Sequence, residues 1–274
     1  MKLPNIVVRI LAGAVFVGLL LAGILINEYT FLAVFSLITV LSLYEFYGLI
    51  EKDAKIPTTK VWNVLGGFLM FVGGFYYCYY SASFVAFIPY IIYLLTLFVG
   101  ELYLKRKTPI ESLAYSLLGQ MYIVLPFTLA NYLVFIHVAG EYSGIYLLAL
   151  LVFIWVNDSF AYLTGMAFGK HRLFERISPK KSWEGFIGGA IVSIASSLIF
   201  AYFFPSLSRF EWLGFAAVVV IFGTWGDLFE SLLKRTLGVK DSGNMIPGHG
   251  GILDRFDSTI LAIPAVFVYL LLIA

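Results

Sequence analysis

Four carboxylates stand where apolar packing gives them no reason to be. Glu45, Asp158, Asp227 and Glu230 fall inside long hydrophobic runs, where an acidic side chain costs roughly 3 kcal/mol near the centre of a membrane helix and less near its end. Asp227, Glu230, Ser231 and Lys234 follow i, i+3, i+4, i+7 spacing and therefore share one helical face. A structural salt-bridge stripe is the plain reading of that face; a polar row descending to a membrane surface is the chemical one. Asp158, beside Asn157, sits about two to three turns inside its run, which points to a buried pairing or a function. Glu45, near the end of its own run, reads as a carboxylate reaching the interface.

Two polar connections carry complementary groups. The first holds Gly169, Lys170, His171 and Arg172, then Ser178, Pro179, Lys180, Lys181, Ser182, Trp183, Glu184 and Gly185. Part of this is ordinary helix-start chemistry, with Ser182 or Pro179 ahead of Glu184, and its lysines suit anionic headgroups as well as a substrate. The second runs from Lys240 and Asp241 through Ser242 to Asp254, Arg255 and Asp257, with five glycines between Gly238 and Gly251. Such glycines let backbone amides approach an anion. Asp254 and Asp257 offer hard oxygen ligands of the kind magnesium takes together with substrate phosphates. No Walker A loop or dinucleotide fingerprint is present, and His249, with no second His or Cys nearby, argues against a transition metal. Carboxylates, cations and flexible amides together are what phosphoryl or nucleotidyl transfer needs, because its transition state concentrates negative charge.

The elements that must position these groups are membrane helices. The chain has 274 residues, 61% hydrophobic and 12% charged, about half the charged share of a soluble domain. That excludes a cytosolic enzyme and a disordered chain, and the one cysteine, Cys78, excludes a disulfide scaffold or a Cys-rich zinc site. A bilayer core needs roughly 20 apolar residues per helix. Cutting at polar breaks gives nine spans, near 5 to 27, 30 to 50, 61 to 80, 84 to 100, 112 to 136, 143 to 168, 185 to 204, 212 to 236 and 258 to 273. The first is longer than a signal-peptide core and reads as a retained helix. All of the 18 Lys and Arg residues except Arg209 fall at the N-terminus or in alternate connections. Basic residues are retained on the cytoplasmic side, so the expected fold is all-α and polytopic, with about nine helices and the N-terminus and both polar connections in the cytoplasm.

From Ser231 to Asp257 the chain reads SLLKRTLGVKDSGNMIPGHGGILDRFD. This segment resembles the signature of the phosphatidate cytidylyltransferase (CDP-diacylglycerol synthase) family at Ser231, Lys234, Arg235, Lys240, Asp241, His249, Gly250, Gly251, Asp254, Arg255 and Asp257. Asp158, Ala161, Tyr162, Gly165, Phe168, Gly169, Lys170 and Ser178 to Gly185 extend the resemblance over roughly the C-terminal half. Ser182 stands where the family usually has threonine and keeps the hydroxyl, whereas Met166 replaces an arginine. Residues 1 to 140 match in hydropathy alone, so they are expected to supply transmembrane helices without site motifs. Residues 141 to 274 would form the catalytic region of one continuous membrane domain.

The resemblance implies a magnesium-dependent reaction of CTP with phosphatidic acid, giving CDP-diacylglycerol and pyrophosphate, in the inner membrane if the source is bacterial. Asp227, Asp254, Lys181, Lys234 and Asp257 are then the expected catalytic residues. Asp227 and Asp254 would hold one or two Mg2+ ions, with room for a monovalent cation. Substrate contacts are expected from Asp158, Ser178, Lys180, Lys181, Ser182, Arg235, Lys240, Asp241, His249, Gly250, Gly251 and Arg255. Membrane lipid is an expected partner and nucleic acid is not. Gly185, Gly188 and Gly189 permit close helix contact, within the chain or in a homodimer. Two other functions compete: a CTP-dependent enzyme acting on an isoprenoid lipid or polyprenol, and an ion-coupled transporter. The transporter fits less well because the polar residues gather at one face, whereas an ion path needs them in the outer halves of the spans as well.

Overall fold

The computed structural model describes residues 5–81, 83–136, 141–246 and 250–273, with side chains from residue 10 onward. Eight of its helical segments are long and apolar enough to cross a membrane, and Ile10–Leu25 is a shorter apolar helix. Large apolar side chains such as Leu102, Tyr202 and Phe210 are more than 80% exposed. On a soluble protein they would be a liability, whereas on a polytopic one they are the surface that meets lipid. The chain divides into two compact units, residues 1–144 with 236–256, and residues 145–235 with 257–274.

The first unit contains α1 (Asn5–Leu25), α2 (Glu28–Leu49), α3 (Lys60–Tyr80), α4 (Ile88–Tyr103), α5 (Pro109–Gly119) and α6 (Leu125–Val134). Asn27 starts α2 with a capping box, its side chain accepting from the Thr30 amide while Thr30 Oγ1 accepts from the Asn27 amide, so two orphan donors are satisfied at once. Between α5 and α6 the helix widens into a π turn at Gln120–Val124. Pro126 follows two residues after it; it lacks an N–H and crowds the preceding turn, and a wide turn relieves both defects without ending the helix. Buried polar groups hold the helices of this unit in register. Asn63 donates to Ser116 Oγ (2.8 Å) and accepts from Tyr93 Oη (3.0 Å), and Tyr47 Oη donates to the Ser116 carbonyl (2.7 Å). In lipid, each such pair saves a buried group from going unsatisfied.

The second unit contains α7 (Ile145–Phe168), the strands β1 (Arg172–Phe174) and β2 (Ser178–Ser182), α8 (Trp183–Phe203), α9 (Arg209–Thr236, to Arg235) and α10 (Leu253–Ile273, from Asp257). Its core is aromatic, with Tyr146, Phe153, Trp212 and Phe215 fully buried or nearly so. Helices α7 and α8 approach closely along the small residues the sequence singled out. An added Cβ at Gly189 would lie 2.5 Å from the Asn157 carbonyl oxygen, and one at Gly185 would lie 2.7 Å from that of Ala161. Those glycines are therefore taken up in packing inside the chain.

Two expectations need correction. The all-α expectation had no strands, yet the connection before α8 forms an antiparallel hairpin with Arg172 opposite Ser182 and Phe174 opposite Ser178. The last helix starts at Leu253, not near 258, so Asp254 and Asp257 occupy its first two turns. Hydropathy pushes the boundary past charged residues, but the buried Ile252, Leu253 and Phe256 already belong to the helix and its entry.

Candidate active site

In the second unit a cavity of about 630 Å³ opens among α7, the hairpin, α8 and α9. Asp158 lines it from α7, Lys180 and Lys181 from β2, and Asp227 from α9, and Ser182 and Thr224 also belong to its lining. Lys181 Nζ is 2.5 Å from Asp227 Oδ2, and both side chains are 29% exposed. Asp227 Oδ1 accepts from Ser231 Oγ at 3.3 Å. Asp158 lies within Coulombic reach of both Lys181 and Asp227. Asp257 lies within reach of Asp227, Asp158 and Lys234, and its own Oδ1 accepts from the Ser258 amide at 2.6 Å.

Local sequence explains how β2 is aimed. Ser182 caps α8, its Oγ accepting from the Gly185 amide at 3.1 Å. Gly165, Gly169 and Gly185 crowd that oxygen closely enough that a Cβ on any of them would lie 2.9–3.3 Å from it. Glu184, in the first turn of α8, reaches sideways: its carboxylate accepts from the amides of Lys170 and His171 and meets His171 Nδ1 at 2.6 Å. The hairpin is thus stapled to the start of α8, and Lys180 and Lys181 project from a fixed support.

The stripe on α9 resolves into i, i+4 pairs, Asp227 with Ser231 and Glu230 with Lys234, the latter at 3.0 Å with Glu230 fully buried. Ser178, Lys234, Arg235 and Asp257 are not among the residues lining the cavity. Ser178 opens β2 in its register with Phe174, and Arg235 is exposed at the end of α9. Met166, at the position where the family usually has arginine, does line the cavity.

The glycine-rich connection belongs to the first unit. There Lys240 and Asp241 are exposed and border a second cavity of about 510 Å³ together with Tyr44, Glu45, Lys52 and Lys60. Asp254 accepts from the Ser242 amide through both oxygens (3.2 and 3.0 Å) and from the Gly251 amide at 2.9 Å. Gly250 has φ +81°, where glycine is favoured, and a Cβ there would lie 2.8 Å from Asp254 Oδ2. The loop amides of Ser242 and Gly251 are therefore turned toward a carboxylate of the protein itself. Arg255 is exposed, and His249 lies outside the described residues.

Glu45 departs most from expectation. It is 7% exposed, and its Oε2 accepts from the Leu253 amide at 2.9 Å. A period-3.6 reading of α2 had no means of finding that contact, because its partner lies 208 residues away in sequence.

Among the described residues no three His, Cys, Asp or Glu side chains form a ready cage for a metal ion. The donor set still suits magnesium. Asp158, Asp227 and Asp257 present hard oxygens within Coulombic reach of one another, and Mg2+ is usually held by one or two carboxylates with water and substrate phosphates completing its shell.

Several known proteins are similar to this chain in sequence. Phosphatidate cytidylyltransferase of Bacillus subtilis (strain 168) is 32% identical over 275 aligned residues, covering 98% of this chain and 96% of that protein. The enzyme of the same name from Staphylococcus aureus (strain COL) is 45% identical over 127 residues, 46% of this chain and 49% of that protein. That from Haemophilus influenzae is 44% identical over 131 residues, 45% of each. The chain thus spans about half the length of the staphylococcal and Haemophilus relatives it matches, and nearly all of the Bacillus one. The cytidylyltransferase family model matches residues 7–273, and the chain belongs to that family.

Proposed function

We propose that this protein transfers the cytidylyl group of CTP to phosphatidic acid, releasing pyrophosphate and leaving CDP-diacylglycerol in the membrane. One observation carries the reading: a cavity in which Lys181 is held against Asp227 at 2.5 Å with Asp158 beside them, in a chain of the cytidylyltransferase family. Nine spans with the N-terminus in the cytoplasm would put this cavity on the side where CTP is found. The sorting of basic residues supports that orientation. The catalytic region begins near residue 141 and continues to 274.

The phosphate of phosphatidic acid is already an anionic nucleophile at neutral pH. One of its oxygens attacks the α-phosphorus of CTP, a P–O bond forms, and the bond to the α,β-bridging oxygen breaks with its electron pair leaving on pyrophosphate. No side-chain nucleophile or obligatory general base is required. Lys180 and Lys181 offset charge on the two reactants, and the ion pair with Asp227 keeps the Lys181 ammonium in the cavity rather than in solvent. Arg235, Lys240 and Arg255 are the further cations proposed for phosphate contact. Asp227 and Asp254 are each proposed as a ligand for one or two Mg2+ ions, which when bound would polarise the α-phosphate and offset the charge of the departing pyrophosphate. Orientation within the cavity supplies the rest, since two bound reactants no longer lose translational freedom at the barrier.

The test is a substrate panel on purified protein in detergent with CTP labelled in the α-phosphate. Phosphatidic acid is expected to take up the label with release of one pyrophosphate per lipid. Labelling of a polyprenol or isoprenoid phosphate in preference to phosphatidic acid would transfer the reading to the related enzyme class.

A further inference from the structure

The carboxylate of Glu45 is buried in the first unit and is not used by the reaction above. We infer that Glu45 is a positioning residue: from α2 it anchors the glycine loop and the N-terminus of α10 and so fixes the direction of the Asp254 carboxylate. The proposal rests on the reading of Asp254 as a metal ligand only for its catalytic consequence; the anchoring stands on geometry.

That geometry is specific. The first amides of a helix have no intrahelical acceptor, and Glu45 Oε2 accepts that of Leu253 at 2.9 Å. It therefore caps α10 from a different helix, with a negative charge at the positive end of the helix dipole. Ser242 sits between the two acids: its amide donates to Asp254 while its Oγ lies 3.5 Å from Glu45 Oε2. Two loop glycines press directly on the Glu45 carboxylate. A Cβ on Gly243 would lie 2.6 Å from Oε1, and one on Gly251 would lie 2.5 Å from Oε2 and closer still to Ser242 Oγ. Real Cβ atoms essentially never approach below 3.0 Å, so a side chain at either position would require the Glu45 carboxylate or Ser242 Oγ to shift from its present place. Oε1 is buried with no hydrogen-bond partner among the described residues. An acid kept inside a membrane helix on such terms is poorly explained by stability alone. Its polar contacts among the described residues lead to the start of α10 and to the loop that orients Asp254.

The test compares wild type, Glu45→Gln and Glu45→Ala, purified in detergent, by two readouts independent of turnover. Gln retains a carbonyl oxygen that can accept from the Leu253 amide, and Ala does not. Hydrogen exchange of the peptide covering 239–256 is expected to quicken at least tenfold in Glu45→Ala and to stay within threefold of wild type in Glu45→Gln. Binding of Mn2+ alone, followed by the loss of the free-ion paramagnetic signal, is expected to weaken at least tenfold in Glu45→Ala and little in Glu45→Gln. Unchanged loop exchange in a folded Glu45→Ala protein would overturn the proposal. Equal loss of Mn2+ binding in both variants would also overturn it, by making Glu45 a direct ligand. Asp254→Asn, run in parallel, separates the two ideas: if it binds Mn2+ normally while Glu45→Ala loosens the loop, the ligand reading of Asp254 fails and the anchoring holds. Should Glu45→Ala not fold, Glu45→Asp, one methylene too short to reach Leu253, reads the same loss.

Discussion

Substituting Gly226 by alanine tests whether the approach of α9 to α10 within the second unit sets the position of Asp227. A Cβ at Gly226 would lie 2.5 Å from the Asp257 carbonyl oxygen and 3.2 Å from the Ser258 Cα. Backbone cannot swing aside as a side-chain tip can, so the helices must part by about 0.5 Å to reach a 3.0 Å contact and about 0.9 Å to reach 3.4 Å. Overpacking on this scale costs about 1–3 kcal/mol, partly offset by the roughly 1 kcal/mol by which alanine favours a helix over glycine. The catalytic effect is expected to be larger, because a misplacement near 1 Å can lower a rate on the order of 100-fold. Gly223, about one turn earlier on α9, supplies the control: its Cβ would meet Ile154 at 3.6 Å and Ser258 at 3.7 Å, ordinary contact distances. Initial rates of nucleotide-lipid formation and thermal midpoints in detergent would be measured for both. Gly226→Ala is expected to lose 10- to 100-fold in kcat with a drop of a few degrees in midpoint, and Gly223→Ala to keep both. Equal activity in the two variants would refute the argument that helix approach at Asp257 positions the site.

Lys181→Gln is expected to raise the KM for CTP or phosphatidic acid about tenfold or more while barely moving the thermal midpoint, since a partly exposed ion pair contributes about 1 kcal/mol or less; unchanged KM values would return the lysine to the lipid surface. Asp227→Asn should nearly abolish turnover in a protein that elutes and melts as wild type, and chelation of divalent ions should do the same to wild type. Substantial Mg2+-dependent activity in the variant would remove Asp227 from the ligand set. For orientation, Arg176 and Asn244, both exposed, would each be changed to cysteine in a Cys78→Ser background. An impermeant thiol reagent should label neither in intact cells until the membrane is opened, and labelling from outside would reverse the topology.

Hydropathy made most of the helices legible, because lipid exposure leaves long uninterrupted apolar runs. The eight long segments fall within a few residues of expectation everywhere except at α10. There Asp254 and Asp257 look like loop residues to any hydropathy window, although their amide and carboxylate contacts are those of a helix start. The gathering of Asp158, Lys180, Lys181, Ser182 and Asp227 around one cavity was foreshadowed by residue type and by side of the membrane. The hairpin that delivers the lysines was not, since three- and five-residue strands containing Pro179 carry almost no alternation. Glu45 was misread for a different reason. A carboxylate near a helix end ordinarily finds the interface, and only tertiary contact reveals that this one finds the amide of Leu253. The glycines of the loop show the same limit: Gly243 and Gly251 make room for Glu45, a role that composition alone cannot distinguish from room for phosphate.

The transfer is proposed to be a single direct displacement between lipid phosphate and nucleotide. It is tested most directly by running the reaction with phosphatidic acid and CTP carrying one sulfur of defined configuration on its α-phosphate, then determining the configuration at phosphorus in the nucleotide lipid. Inversion is the predicted result, as one in-line attack requires. Retention, with a cytidylylated protein trapped on quenching, would contradict the claim and place a covalent nucleophile in the site.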